Sequence, residues 1–194
     1  MLDEQERVIL VDESDQTLDA GPKLGTHESG LLHRAISVFV FNGRGDLLLQ
    51  QRADCKYHSA GKWANTCCGH PRPDETCQAA AERRLFEEMG MSVDLRFGFK
   101  SRYEAQLDNN MIENEIPYLY FGQTDAVPEA NPGEVQAYKY LPLDKLRQEI
   151  DSNPEQFSVW LIHYMDSHEN RLSSLNDMLL SERWSTQSDA SSVA

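Results

Sequence analysis

Five side chains scattered along the 194-residue sequence are of types that bind divalent metal ions: His27, His33, His70, Glu113 and Glu115. Three histidines and two carboxylates from separated segments can assemble a nitrogen and oxygen metal site. Glu113 and Glu115 are two residues apart, so on a straight strand they face the same side. Each signal is weak by itself, because a single loop histidine is more often exposed or structural and the two glutamates alone would describe a solvated strand face. A second cluster, Asn65-Thr66-Cys67-Cys68-Gly69-His70-Pro71, sets two thiols beside one of the histidines. A third signal runs from Gly69 to Met91: Gly69, five residues, Glu75, seven residues, Arg83, then Leu85, Glu87, Glu88, Gly90 and Met91. A loop entering a helix that carries carboxylates about one turn apart can hold Mg²⁺ against a diphosphate. Paired acids or arginines alone would describe only a solvated helix face, whereas the whole spaced set is much more specific.

These residues need elements to position them. Val8-Ile9-Leu10-Val11 predicts a strand, and Asp12 to Leu24, with Gly21-Pro22, reads as turn and loop. The β-rich run at 35–41, the turn Asn42-Gly43-Arg44-Gly45 and Leu47-Leu48-Leu49 predict a hairpin over 35–52. A loop from Ala53 to Asp74 holds most of the unusual chemistry. A helix is expected over 75–89, with Asp74 as N-cap and Gly90 as its C-terminal stop. Strands are expected within 93–106, 115–124 and 135–141, and helices at 143–150, 155–166 and 169–183. The fold class is α+β, a mixed sheet with helices packed on it. Residues 1–184 read as one domain, and the Ser-rich segment 185–194 as a disordered tail.

Composition narrows the function. Hydrophobic residues make up 40% and charged residues 26%, as in an ordinary globular protein. No apolar run approaches the roughly 20 residues of a membrane helix. The acidic start, Met1-Leu2-Asp3-Glu4-Gln5-Glu6, does not resemble a secretory leader, so a cytoplasmic setting is expected. Four cysteines without a regular framework fit free thiols. The net charge of −14 argues against nucleic acid and anionic membranes as partners. An anionic substrate would therefore need locally placed cations or metal.

The third signal resembles the Nudix box, Gx5Ex7REUxEExGU with U apolar, with one departure. Arg84 stands where hydrolases of that family carry the first Glu of their REUxEE segment. At roughly 4 Å and an effective dielectric near 20, one charge–charge interaction is about 4 kcal/mol, so reversing its sign matters. Arg84 would repel a metal and could grip a phosphate. The Trp63–Pro71 and Glu113-Asn114-Glu115 segments, with Lys23–His27, Leu32–Ala35, Gln51-Arg52, Ser101-Arg102-Tyr103 and Phe157–Trp160, resemble the type I isopentenyl diphosphate isomerases, which are built on the Nudix fold. The likeness covers about residues 8–165.

That resemblance implies a Nudix-like mixed sheet sandwiched by helices and an isomerase interconverting isopentenyl and dimethylallyl diphosphate. His27, His33, His70, Glu113 and Glu115 would ligate one Zn²⁺ or Mn²⁺, and Glu88 would help hold a Mg²⁺ on the substrate diphosphate. Cys68 and Glu115 would carry protons on opposite faces of the reacting carbons, with Cys67 a non-catalytic neighbour. Tyr103 would bond near Glu115, Trp160 would face the developing cation, and Lys23, Arg52, Lys56 and Arg84 would contact the diphosphate. The partner would be a small isoprenoid diphosphate, with a monomer favoured. Trp63 is expected to support its loop; Cys55, Cys77, His58, His163 and His168 are expected to be inert, surface or structural, and Trp184 to pack the last helix or be exposed. Two rivals remain. A Nudix hydrolase explains the helix but not Cys68, the glutamate pair or Arg84. A metal-stabilised binding module without catalysis explains the ligands as structural, but such sites close with four.

Overall fold

A computed structural model describes residues 6–181. Trp184 and the 185–194 segment lie outside the described residues. In chain order the elements are β1 (Arg7–Val11), β2 (Thr17–Pro22), α1 (Lys23–Ser29), β3 (His33–Phe41), β4 (Leu47–Arg52), β5 (Trp63–Ala64), β6 (Cys67–Gly69), α2 (Cys77–Met89), β7 (Arg96–Lys100), β8 (Tyr103–Gln106), β9 (Ile112–Gln123), β10 (Val135–Leu141), α3 (Leu143–Ser152) and α4 (Val159–Leu180).

The centre of the sheet is the parallel pairing of β3 with β9, in continuous register from His33 opposite Glu115 to Phe41 opposite Gln123. On the far side of β3, Ile36, Ser37 and Val38 pair antiparallel with Gly69, Cys68 and Cys67. On the far side of β9, β7 and β8 pair antiparallel. The expected hairpin over 35–52 exists, but its strands pair only at Phe41 and Leu47. They diverge beyond that point, and β6 takes the place beside β3 while β5 and β10 pair with β4.

Period-2 alternation sorts the side chains into two layers. Ile36, Val38, Val40, Leu48 and Tyr120 form a core with Ala80, Ala81, Leu85 and Met89 of α2. Phe39, Phe41, Leu47, Leu49, Leu119 and Phe121 form another with Leu161, Tyr164, Met165 and Leu172 of α4. This is a mixed sheet between helices, the α+β class expected from sequence.

Several local expectations change. Asp12–Leu24 is not all loop: β2 pairs with β1 and is followed by the short α1. β2 is mostly exposed, so backbone pairing holds it without an apolar stripe to announce it. Helix α2 starts two residues later than expected. Asp74 sits at φ +68°, outside the helix, and the N-cap is Thr76, whose hydroxyl accepts the Ala79 amide at 3.1 Å. The Glu75 carboxylate is engaged instead by Arg83, at 2.7 and 2.8 Å. Gly90 does end the helix, at φ +64°; a Cβ there would lie 2.6 Å from the Glu129 carbonyl oxygen, so the position requires glycine. The helices expected at 155–166 and 169–183 are one helix, α4, preceded by a short turn at 154–156. The polar stretch Asp166–Asn170 reads as a break, yet its side chains have partners along the helix flank: Asp166 and Glu169 take Arg147 at 2.8 and 3.2 Å, and His168 takes Ser101.

Asp15, in the turn between β1 and β2, ties this edge hairpin to the sheet. Its carboxylate accepts from Arg34 Nε at 2.8 Å, Lys100 Nζ at 2.6 Å and the Tyr118 hydroxyl. Burial opposes its charge, but the bonds from Lys100, Tyr118 and Arg34 outweigh burial and hold the carboxyl below its usual range. A depressed carboxylate stabilises above its unfolded pKa of about 3.9 and loses that contribution as pH falls through the folded value. Asp15→Ala should therefore cost about 1–3 kcal/mol at neutral pH. Thermal melts should show the gap to the parent chain closing as pH drops below about 4.

Candidate active site

The site forms at the end of the β3–β9 pair, on the face covered by α4. His33 begins β3 and Glu113 and Glu115 lie on β9, all facing this side by strand alternation. His27 comes from α1 and His70 from the chain just after β6. The Nε2 atoms of His33 and His70 lie 3.2 Å apart, and both face Glu115 Oε1, at 3.3 and 2.9 Å. With His27, these residues form one buried group whose ligand atoms converge. Glu113 stands beside it, Oε2 lying 3.6 Å from His27 Nε2. The Nδ1 atoms of His27 and His33 each lie 2.8 Å from a backbone carbonyl, that of Lys23 and Leu31, so Nδ1 carries the proton. In the neutral rings this leaves Nε2 lone pairs aimed at carboxylate oxygens. His27 Nε2 and Glu113 Oε2 are buried without hydrogen-bond partners. Such a donor set fits a divalent cation, which satisfies facing nitrogen and oxygen lone pairs together.

Acid–base groups adjoin this cluster. The Tyr103 hydroxyl donates to Glu115 Oε2 at 2.8 Å. Burial opposes ionisation of Glu115, but His33, His27 and Tyr103 outweigh it and keep the carboxyl below its ordinary range. Cys67 and Cys68 point to opposite faces of β6. Cys67 is buried in the core under α2, whereas Cys68 lines the pocket. Cys68 Sγ lies 3.2 Å from Asn65 Oδ1 and 3.4 Å from Ser37 Oγ, which in turn meets the Tyr164 hydroxyl at 2.8 Å. Burial pushes the Cys68 thiol up to about 12, so it is protonated at neutral pH. The pocket is also lined by Trp160, Tyr103, Glu113 and Glu115.

Its other end is cationic. Lys23, Arg52, Lys56 and Arg84 all line it, as does Glu88. Lys23 is ion-paired with Glu6 at 2.8 Å and Lys56 with Glu134. Arg84 bonds Glu88 at 2.5 Å, Glu87 at 2.7 Å and Glu134 at 3.2 Å. Burial works against the Arg84 charge, but Glu88 and Glu134 keep it firmly protonated. Gly69 makes room for it: a Cβ there would lie 3.0 Å from Arg84 Cγ. The charge reversal thus replaces a repulsive carboxylate cluster with an internally neutralised one. Arg52 places its guanidinium over the Trp160 indole at 5.2 Å and donates to the His58 carbonyl at 3.2 Å.

All the site residues expected from sequence therefore gather in one place, with His27 and His33 behind the pocket wall. Several residues in or beside the pocket were not foreseen, Ser37 and Tyr57 of its lining among them. Glu6 and Glu134 neutralise cations from distant segments, which no local spacing signals. His58, expected to be surface or structural, is buried in the pocket against Glu113, His27 and Trp160; its only clue was its place two residues after Lys56. His163 and His168, also expected to lack partners, share the Ser101 hydroxyl at 3.0 and 2.8 Å.

Solved structures of similar architecture share the fold. A Deinococcus radiodurans protein superposes with a TM-score of 0.64 at 20% identity, covering 76% of this chain and 90% of its own. A MutT protein from Methanosarcina mazei gives 0.60 at 19% identity, covering 75% and 95%. The NUDIX domain pattern matches residues 31–161. Sequence relatives narrow this further. The isopentenyl-diphosphate Delta-isomerase of Pectobacterium atrosepticum is 51% identical over 79% of this chain and 86% of its own length. Isopentenyl-diphosphate Delta-isomerase 1 of Aromatoleum aromaticum is 49% identical over 81% and 89%. The chain belongs to the NUDIX family and, within it, to the isopentenyl-diphosphate Delta-isomerases.

If the buried cluster binds a cation, that binding must stabilise the fold by linkage. Zn²⁺ or Mn²⁺ at about 100 times its Kd should add about 2.7 kcal/mol. In differential scanning fluorimetry the melting temperature of the metal-stripped parent chain should rise on adding either ion, while that of His33→Ala should stay nearly fixed.

Proposed function

We propose that this chain interconverts isopentenyl and dimethylallyl diphosphate in isoprenoid biosynthesis. The reaction adds a proton to an unactivated alkene and removes a different one, through a tertiary cation-like intermediate. It needs two proton carriers around one carbon skeleton. The observation that carries this reading is a thiol, Cys68, and a buried carboxylate, Glu115, lining one pocket with an aromatic wall and a cationic end.

The residues divide the work. Lys23, Arg52, Lys56 and Arg84 bind the diphosphate, displacing the carboxylates that hold three of them, and this remote binding energy fixes the apolar tail. Cys68 and Glu115 exchange protons with the carbon skeleton from opposite faces. Tyr103 holds Glu115 Oε2 and sets its orientation. Trp160 offers π density to the cation, worth about 2 kcal/mol once desolvated, and the buried walls exclude water that would capture the cation as an alcohol. His27, His33, His70, Glu113 and Glu115 would hold one Zn²⁺ or Mn²⁺, and Glu88 a Mg²⁺ that accompanies the diphosphate. When bound, the first ion fixes Glu115 and tunes its basicity, and the second offsets phosphate charge. Residues 1–184 act in this reading as one domain, a cytoplasmic monomer.

The test is proton and phosphorus NMR of isopentenyl diphosphate with the protein and Mg²⁺ in deuterated buffer. Dimethylallyl signals and deuterium in the carbon skeleton, with the diphosphate intact, are expected. Release of phosphate would favour a hydrolase instead, and no change across added Zn²⁺, Mn²⁺ and Mg²⁺ a non-catalytic module. Under the same assay Cys68→Ala should lose about 10²–10⁴-fold in turnover or more with its melting temperature preserved. Cys67→Ala should stay close to the parent rate. The opposite pattern would reassign the thiol.

A further inference from the structure

His58 lines the pocket, is buried, and has no part in the chemistry above. Its ring lies nearly parallel to that of His27, with centroids 5.9 Å apart, and edge-on to the Trp160 indole at 5.9 Å. The backbone around it is fixed. Arg52 donates to the His58 carbonyl at 3.2 Å, the Gly61 amide bonds the Arg52 carbonyl at 3.1 Å, and Ser59 turns the chain at φ +48°.

The two oxygens of Glu113 face different histidines. Oε2 faces His27 Nε2 at 3.6 Å and Oε1 faces His58 Nε2 at 3.9 Å. The second separation exceeds the 2.7–3.2 Å of an N–H···O bond, yet a modest swing of the carboxylate closes it. At the other edge of the ring, His58 Nδ1 lies 3.3 Å from Ser59 Oγ. A hydroxyl donated to Nδ1 leaves the ring hydrogen on Nε2, aimed at Glu113. We propose that His58 is a positioning residue for Glu113, its Nε2–H holding the outer oxygen Oε1 and so turning Oε2 toward a cation held by the neighbouring histidines. This rests on reading that cluster as a metal site. Partners of this kind orient ligands and fix their basicity, and losing one typically costs 10–100-fold in metal affinity. The same ring abuts Trp160, so His58 also joins the metal ligands to the aromatic wall.

Cobalt(II) is the probe, added to the metal-stripped full chain and followed by its d–d absorption and by competition with a chromophoric chelator. The parent should bind Co²⁺ tightly. His58→Ala and His58→Phe should both bind about 10–100-fold more weakly with altered band positions, and His58→Gln, which keeps an N–H donor, should recover part of the loss. Melting temperatures of the metal-free proteins show whether packing has changed. His58→Phe keeps the ring without the donor, so parent-like affinity and spectrum in that variant would overturn the proposal, as would equal weakening in His58→Gln. A parent chain that binds no Co²⁺ would remove the metal reading itself, a result separate from the two before it.

Discussion

Everything at the site depends on the register of one parallel pair of strands. β3 and β9 run together from His33 opposite Glu115 to Phe41 opposite Gln123, and alternation commits each strand's odd-numbered residues to the α4 face. A slip of β9 by one residue would turn Glu113 and Glu115 into the other layer, away from His33, and carry Leu119 and Phe121 with them. The large apolar side chains that fix the register are therefore the same device that aims the polar ones. Burying Phe39, Phe41, Leu119 and Phe121 holds the strands against the repulsion of crowded ligands at their ends.

Charge compensation is the second constraint. Four buried histidines, two buried glutamates and a half-buried thiol would be costly in an apolar setting. The chain answers with partners rather than with solvent: backbone carbonyls for the imidazole Nδ1 atoms of His27 and His33, Tyr103 for Glu115, Asn65 and Ser37 for Cys68. At the cationic end, Glu134 is shared by Lys56 and Arg84. A chain of net charge −14 thus keeps a local positive set that is neutralised internally until a stronger anion competes for it.

Much of this was legible in the sequence because the informative residues are tied to local spacing. The Gly69–Met91 pattern places Glu75 against Arg83 and ends at Gly90, and the thiol pair lies next to His70. What was not legible depends on contacts between distant segments. β2 shows no apolar alternation because it is an exposed edge strand. The unbroken α4 hides behind polar residues whose partners, Arg147 and Ser101, come from elsewhere. Thr76 takes the cap that Asp74 suggested, because Asp74 sits in the left-handed region two residues ahead of the cap position. Glu6 and Glu134 enter the site by tertiary folding alone, and no local spacing indicates them.

The opposite orientation of Cys67 and Cys68 has a redox consequence. Adjacent thiols suggest a pair that could oxidise to a disulfide, but a strand sends neighbouring side chains to opposite faces, and bridging requires Cβ atoms about 3.5–4.5 Å apart. Here one sulfur belongs to the α2 core and the other to the pocket. Closing them into a ring would mean tearing β6 from β3. An oxidant small enough to enter the pocket would meet Cys68 as a solitary sulfur. The sulfenic acid formed there would be capped by an external thiol or oxidised further to the sulfinic acid, because its neighbour in sequence faces the other way.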